Sequence, residues 1–161
     1  DRTADGGTTL TSSTAAKRAI DSPTSLLSLV TPGDYVGILA YLAPSEELAK
    51  VFGRFRADVR LQTHAATMFG YGPRYLHSTG QLHKGGANSG VFVLISHTPS
   101  ADLDIPGQPF TFGTLELAQA LGDFNSLDAT GRRAVHIHLP APDPKLVSAA
   151  LDSLLVQTSR S

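Results

Sequence analysis

Two uninterrupted apolar runs constrain the fold of this chain more than any other feature of its sequence. Residues 35–42 read YVGILAYL and residues 90–96 read GVFVLIS. Neither run shows the alternation of apolar and polar residues that marks a strand with one side in solvent. Strands that are apolar on both faces belong to parallel sheets, because helices cover both sides of such sheets. We therefore expect an α/β protein.

Segments with helical periodicity follow these runs. The sequence PSEE at residues 44–47 begins a helix that we expect to end near Ala57, because acidic residues in the first turn favour the helix dipole. Apolar residues recur at helical spacing in residues 114–128 and again in residues 144–157. These patterns predict one helix after each apolar run and a closing helix near the end of the chain.

Shorter apolar segments at residues 59–63 and 133–139 predict two further strands. Strands that alternate with helices favour an open sheet with helices on both faces, because right-handed crossovers place them there. The expected fold class is therefore α/β, a three-layer α/β/α sandwich of the flavodoxin type with an open, mainly parallel sheet.

Composition limits the domain organisation. The chain has 161 residues, of which 41% are hydrophobic, and this is enough for one compact domain with a proper core. Residues 1–25 are rich in Gly, Ser, Thr and Ala and contain few large apolar residues. We expect them to form a linker or flexible N-terminal segment, and the folded domain to occupy residues 26–161.

Charge and cysteine content exclude several classes of function. Thirteen basic and fourteen acidic residues leave a net charge of -1, which gives no electrostatic footprint for nucleic acid or an anionic membrane. The apolar runs are far shorter than the roughly 20 residues of a membrane-spanning helix. The chain has no cysteine, so disulfides and thiolate metal sites are excluded. We expect a soluble, cytoplasmic protein.

Polar chemistry is densest in residues 70–86, GYGPRYLHSTGQLHKGG. Ligands of open α/β sheets bind beyond the carboxyl ends of the strands, and the loop expected at residues 70–81 could line such a crevice. Ser78 and Thr79 could cap a helix whose N-terminus would bind an anion. In the alternative interpretation this is a Gly-rich loop where Ser78 only caps its helix and His77 only bonds to the backbone.

An extended series of motifs carries a family resemblance. RYLHSTGQLHKGG, an apolar strand, IPG, TFGTLELAQALGD and a GRR element follow one another between residues 33 and 139. This order resembles the isomerase half of bacterial fusions of transaldolase with phosphoglucose isomerase. The resemblance implies the second sugar-isomerase (SIS) subdomain of a glucose-6-phosphate isomerase of glycolysis, gluconeogenesis and the pentose phosphate pathway. It implies no metal and no organic cofactor.

The resemblance also assigns site residues. In this family the histidine of the segment opens the sugar ring by passing a proton between the ring oxygen and the anomeric hydroxyl, and His77 is its counterpart. An imidazole suits this task because its ordinary pKa near 6.5 allows proton transfer in both directions at neutral pH. The residues expected to bind the sugar phosphate are Arg74, Ser78, Thr79, Gln81 and Lys84.

Some parts of the family pattern are missing. The glutamate base and the Ser/Thr-rich phosphate loop belong to the preceding subdomain of such enzymes, and the FDQ-GVE-K motif with its lysine does not follow residue 139. Lys84 could replace that lysine. We expect an incomplete site that a preceding subdomain of a longer chain completes, with a homo-oligomer as a further possible partner. The alternative is a non-catalytic SIS-type module that binds a sugar phosphate and regulates or scaffolds.

Weaker candidates lie nearer the C-terminus. His136 and His138 alternate along a predicted strand and share a face, which suits a metal, although a third ligand is not evident and packing is the alternative. Glu116 is the alternative carboxylate base, or it complements a helix dipole. The loop at residues 102–109 is long enough for a lid but equally suits a plain crossover.

Four more polar residues have less distinctive patterns. Arg132 and Arg133 could bind phosphate, but paired arginines before a strand are usually a solvated edge. Gln119 and Asp123 are expected to face solvent.

Overall fold

The structure of the protein is a computed structural model that describes residues 2–3 and 7–155. Its strands are β1 (Arg2–Thr3), β2 (Thr9–Ser12), β3 (Tyr35–Ala40), β4 (Ala66–Tyr71), β5 (Gly90–His97) and β6 (Arg133–Leu139). Its α-helices are α1 (Thr14–Lys17), α2 (Glu46–Thr63), α3 (Gly80–Gly85), α4 (Phe112–Ala129) and α5 (Pro144–Asp152). Among its other described segments, Pro23–Leu29 and Arg74–His77 are 3-10 helices.

The strands form one sheet with the order β1-β2-β6-β5-β3-β4. Strands β3 to β6 are parallel, and β2 extends the sheet by pairing antiparallel with β6. The chain moves from β3 outward to β4, then returns past β3 to β5 and β6. The strand order therefore reverses between β3 and β5, as in flavodoxin-type sheets.

Apolar side chains cover both faces of the sheet. Ile38 and Val93 belong to a core that also contains residues of α2 and α5, whereas Leu39 and Leu94 belong to a second core with residues of α4. Neighbouring residues along one strand thus enter different helix layers, as the period of two in a strand requires. The predicted α/β/α sandwich with a mainly parallel sheet is confirmed.

The predicted strand at residues 59–63 is wrong, because helix α2 continues to Thr63. Phe52, Phe55 and Val59 are buried at helical spacing, so the second half of the segment extends the same stripe. His64 ends the helix in the left-handed conformation, with φ of 56°. The strand that follows α2 is β4, and it includes residues 70 and 71 of the segment that was expected to be a loop.

The expectation of a linker at residues 1–25 fails for the part from residue 7 onward. Strand β2 pairs with β6 and its Leu10 is buried. The hydroxyl of the buried Ser13 donates to the Arg132 carbonyl at 2.7 Å and accepts from the Ala134 backbone N–H at 3.0 Å. Small polar residues form an ordered segment here because their hydrogen bonds satisfy the edge of the sheet.

The remaining predicted helices and strands are present, with differences at some of their ends. Strand β6 has the predicted bounds, and α4 extends the predicted helix slightly at each end. Helix α5 begins at Pro144 as expected but ends at Asp152, before the predicted end near residue 157. Residues 156–157 of that prediction lie outside the described residues. Among residues 2–3 and 7–155, each helix is too short or too polar to cross a membrane.

Candidate functional site

A cavity of about 460 Å³ lies at the carboxyl ends of β3, β4 and β5. Its walls are formed by Leu42, Ala43, Pro44, Tyr71, Gly72, Pro73, Arg74, His97, Pro99, Ala101, Asp102, Leu103, Phe112, Gly113 and Glu116. The strand order reverses between β3 and β5, so the cavity occupies the position where ligands of open α/β sheets bind.

Three titratable side chains from three separate elements bring polar chemistry to this cavity. Arg74 begins the 3-10 helix after β4, His97 is the last residue of β5, and Glu116 lies in the second turn of α4. The His97 Nδ1 lies 3.0 Å from the carbonyl oxygen of Thr98. Because a carbonyl only accepts, Nδ1 donates this hydrogen bond, which leaves Nε2 as the ring nitrogen that is free to contact a ligand.

The start of α4 is fixed by Asp102, which lies in the wall of the cavity. Its carboxylate accepts hydrogen bonds from the Thr111 hydroxyl at 2.6 Å and from the Gly113 and Leu103 backbone N–H groups at 2.8 and 2.9 Å. The Thr111 and Gly113 bonds hold the pKa of Asp102 below its usual value. The first residue of the loop is thus tied to the start of α4, which favours the crossover over the lid.

A second, much smaller cavity of about 10 Å³ adjoins the first and shares His97 and Glu116 with it. Tyr41 and Ser96 line its inner side. This volume is that of a single water molecule, so the small cavity is too narrow for a substrate group.

Ser96 connects this small cavity to a pair of histidines on β6. Its Oγ lies 2.7 Å from Nε2 of His136 and 2.8 Å from Nδ1 of His138. Nε2 of His138 in turn lies 3.1 Å from Oγ1 of Thr98. Burial, and secondarily the neighbouring His138, lowers the pKa of His136 to about 4. Burial and His97 lower the pKa of His138.

These contacts argue against the metal interpretation of His136 and His138. Both rings direct a nitrogen at the Ser96 hydroxyl, and no cluster of three or more His, Asp or Glu side chains suited to a metal occurs in the described part of the chain. The two histidines are packed, hydrogen-bonded residues.

The structure separates the predicted site residues. Arg74 reaches the cavity, whereas His77, Ser78 and Gln81 are exposed, and neither they nor Thr79 line it. The Ser78 hydroxyl donates to the Tyr75 carbonyl at 3.3 Å, and Thr79 makes no side-chain cap for α3. The predicted helix cap is therefore wrong, and α3 has only six residues with which to form an anion site.

Lys84 points away from the cavity, into the layer between the sheet and α4. Its Nζ lies 2.5 Å from Oδ1 of Asp123, and the Tyr75 hydroxyl donates to the same carboxylate. Asp123 is 3% exposed, so the expectation that it faces solvent is wrong. It follows Ala120 by three residues on the buried stripe of α4. Burial raises the pKa of Asp123 to about 6 and lowers that of Lys84.

The two consecutive arginines lie at the amino ends of the strands, opposite the cavity. The guanidinium of Arg132 is buried and donates to the carbonyls of Lys84 and Gly86, both at 2.7 Å. Arg133 pairs with Asp34 at 2.9 Å, and this hydrogen bond helps to lower the Asp34 pKa to about 2. Both arginines hold loops in place. Because Arg132 is also buried, it is neither a phosphate-binding residue nor part of a solvated edge.

His97 was not predicted from the sequence. A polar residue at the carboxyl end of a buried parallel strand is a usable signal, because that position faces the ligand crevice. Glu116 was identified only as an alternative base. Glu116 lies beyond the first turn of α4, so an interaction with the helix dipole explains its position poorly. Its side chain lines the cavity instead, as a base would.

The geometry of fold and cavity defines a flavodoxin-type α/β protein with a switch-point crevice. No family model and no curated protein matches the sequence. The hypothetical protein TT0462 from Thermus thermophilus has a similar solved structure, with a TM-score of 0.67 and 21% sequence identity over 82% of this chain. The chain spans 36% of the length of that protein. At this identity the similarity shows the fold alone.

Proposed function

We propose that this chain is the C-terminal SIS-like domain of a glucose-6-phosphate isomerase and binds a sugar phosphate in the large cavity. One observation carries the proposal: Arg74, His97 and Glu116, a cation, a base and a carboxylate, line one cavity at the switch point of the sheet. The volume of about 460 Å³ falls within the range of about 300–1,000 Å³ of small-molecule sites.

Each of these side chains suits one part of the reaction. The planar guanidinium of Arg74 can hold a phosphate through paired hydrogen bonds. Aldose–ketose isomerisation also needs a group that opens the sugar ring and a base that moves a proton between neighbouring carbons. The free Nε2 of His97 fits the first task, and the carboxylate of Glu116 fits the second.

This assignment moves the ring-opening role from His77 to His97 within the isolated chain. His77 is exposed outside the cavity, so it would act only if another subdomain or subunit covered the surface around it. The resemblance to the transaldolase fusions implies such a preceding subdomain.

A non-catalytic sugar-phosphate module is the second candidate. It is favoured by the position of His77, Ser78, Thr79 and Gln81 outside the cavity, because the RYLHSTGQLHKGG segment then contributes only Arg74 to the cavity wall. Such a module would bind the sugar phosphate and pass the binding signal to a partner domain.

Calorimetry with glucose 6-phosphate, run beside a coupled isomerase assay, tests both candidates. Arg74→Ala should weaken binding by about tenfold or more, since a charge-assisted hydrogen bond contributes about 1.5–3 kcal/mol. Arg60→Ala is the matched control, because Arg60 is an exposed arginine far along α2. Binding with turnover supports the isomerase, and binding without turnover supports the module. No binding by the wild-type chain rejects both.

A further inference from the structure

The hydroxyl of Ser96 has an unusual position between the candidate site and two histidines. Ser96 is 2% exposed and lines the small cavity, which Glu116 also lines. A nucleophilic serine needs room for a substrate carbon, and a volume of about 10 Å³ accepts one water molecule at most. Ser96 is therefore placed to pass a proton rather than to attack a substrate.

The hydrogen bonds around Ser96 form a continuous chain of groups that both donate and accept. From the small cavity the chain runs through Ser96 Oγ to Nδ1 of His138 at 2.8 Å, and from Nε2 of His138 to Oγ1 of Thr98 at 3.1 Å. Thr98 is exposed, so the chain ends in solvent. His136 joins it at Ser96 from the buried side, at 2.7 Å.

We propose that Ser96, His138 and Thr98 form a proton relay between the water-sized cavity beside Glu116 and the solvent, with His136 positioning the Ser96 hydroxyl. The relay extends the proposed function, because it rests on Glu116 exchanging a proton with a bound substrate. A sugar phosphate in the large cavity would separate Glu116 from bulk water. The relay would then carry protons between Glu116 and the solvent through the small cavity.

The transfer is balanced at every step. Once Glu116 has taken a proton from the substrate, it passes that proton to the cavity water, and the water gives one of its own protons to Ser96 Oγ while the hydroxyl proton of Ser96 moves to Nδ1 of His138. The Nε2 proton of His138 then moves to Oγ1 of Thr98, whose own proton leaves to solvent. One proton has moved, no charge remains on the relay, and a transfer in the opposite direction restores the starting tautomer.

The surroundings keep the relay ready for use. A neutral imidazole has one donor and one acceptor nitrogen, whereas an imidazolium can only donate. The lowered pKa of His138 keeps its ring neutral at pH 7. Titratable groups around the relay are His97 and Glu116 beside the small cavity and His136 on β6. Burial raises the pKa of Tyr41, which also lines the small cavity, and Asp123 lies close enough for its charge to raise this pKa further.

Exchange of the His136 ring proton with water tests the relay in the chain itself without any sugar. His136 is 6% exposed, so its proton should reach water mainly through Ser96 and the outer part of the relay. Nuclear magnetic resonance of ring-¹⁵N-labelled protein at pH 7 would measure the exchange rate. Ser96→Ala and Thr98→Val should each slow it by about tenfold or more, since positioned proton-transfer groups contribute about 10²–10⁴-fold.

Two further variants separate proton transfer from simple packing. Ser96→Thr keeps the hydroxyl and should restore rapid exchange, and Ser100→Ala alters an exposed serine of the neighbouring loop and should leave it unchanged. An exchange rate that is unaltered in Ser96→Ala or in Thr98→Val would overturn the relay. Because this measurement uses no glucose 6-phosphate, a failure of sugar binding rejects the proposed function without deciding the relay.

Discussion

Lys84 and Asp123 form an ion pair beneath helix α4, with Nζ 2.5 Å from Oδ1. The carboxylate is buried, whereas the Lys84 side chain is a quarter exposed. The two residues join α3 to α4, and the Tyr75 hydroxyl binds the same carboxylate. Lys84 therefore has a structural task that its place in the RYLHSTGQLHKGG segment does not reveal.

Replacing Lys84 with methionine should destabilise the fold by about 3 kcal/mol at pH 7, because it leaves the charge of Asp123 buried without its partner. Urea unfolding would measure the loss. The double variant Lys84→Met/Asp123→Asn should recover much of it, and Lys50→Met, an exposed lysine on α2, should have little effect. A stability of Lys84→Met equal to wild type would return Lys84 to the list of substrate-binding candidates.

Acidification should destabilise the fold through His136. Burial lowers its pKa to about 4 in the folded state, below the ordinary value near 6.5 of the unfolded chain. Between these values the unfolded state binds more protons, so stability falls as the pH drops from 6.5 towards 4. The expected loss between pH 7 and pH 4.5 is about 2 kcal/mol, and His136→Gln should remove this contribution.

Asp123 should act in the opposite direction in the same experiment. Its folded pKa of about 6 lies above the ordinary carboxyl value, so the folded state gains stability as the pH falls through 6 and this contribution is lost as the pH rises. Unfolding should therefore be compared at pH 7 and pH 4.5 for wild type, His136→Gln and Asp123→Asn. The prediction for His136 fails if wild type and His136→Gln show the same pH dependence.

Substitution of alanine for glycine should have opposite effects on the stability of the fold at Gly37 and at Gly122. A Cβ on Gly37 in β3 would lie 2.7 Å from the Phe92 ring, so Gly37→Ala should cost about 1–3 kcal/mol through overpacking. Gly122 lies in α4 with open space around it, so Gly122→Ala should stabilise the fold by about 0.5–1 kcal/mol. Thermal unfolding of both variants checks the pair, and destabilisation by Gly122→Ala would contradict the packing of α4.

The fold was predictable where a buried segment has one strong period. Strands β3 and β5 are apolar on both faces, and α4 and α5 have clear stripes, so their type and order follow from the sequence. Strand β4 lies at the sheet edge, and its ATMFGY sequence has no fully buried residue, so it left little signal. The strand was placed within α2 instead, because Val59 belongs to a stripe that helix and strand patterns share.

The site was only partly predictable, because tertiary packing decides which side chains meet. Arg74, which was predicted to bind the substrate, lines the cavity, but Lys84 lies in the same motif and turns towards Asp123. His97 ends a strand 23 residues after Arg74 and reaches the cavity only because β5 lies beside β3. A sequence motif does not show which strands lie side by side, because that depends on the strand order of the sheet.

Variants of His97 and His77 test most directly where the sugar phosphate binds. In the isolated chain, His97→Ala should weaken glucose 6-phosphate binding or abolish turnover, because His97 lines the cavity. His77→Ala should leave both unchanged within about twofold, as expected for an exposed residue away from the ligand. Glu116→Gln should keep binding but lower any turnover by about 10²–10⁴-fold, as loss of a general base does.

Calorimetry and the coupled assay on these three variants give a clear pattern. Loss of binding in His77→Ala with normal binding in His97→Ala would place the sugar on the exposed side of the Arg74–His77 helix instead of in the cavity. The reverse pattern would fix the ligand at the switch point of the sheet. A fall in turnover in Glu116→Gln at unchanged affinity would then identify Glu116 as the proton-transferring carboxylate, since only a group acting in the transition state changes rate without binding.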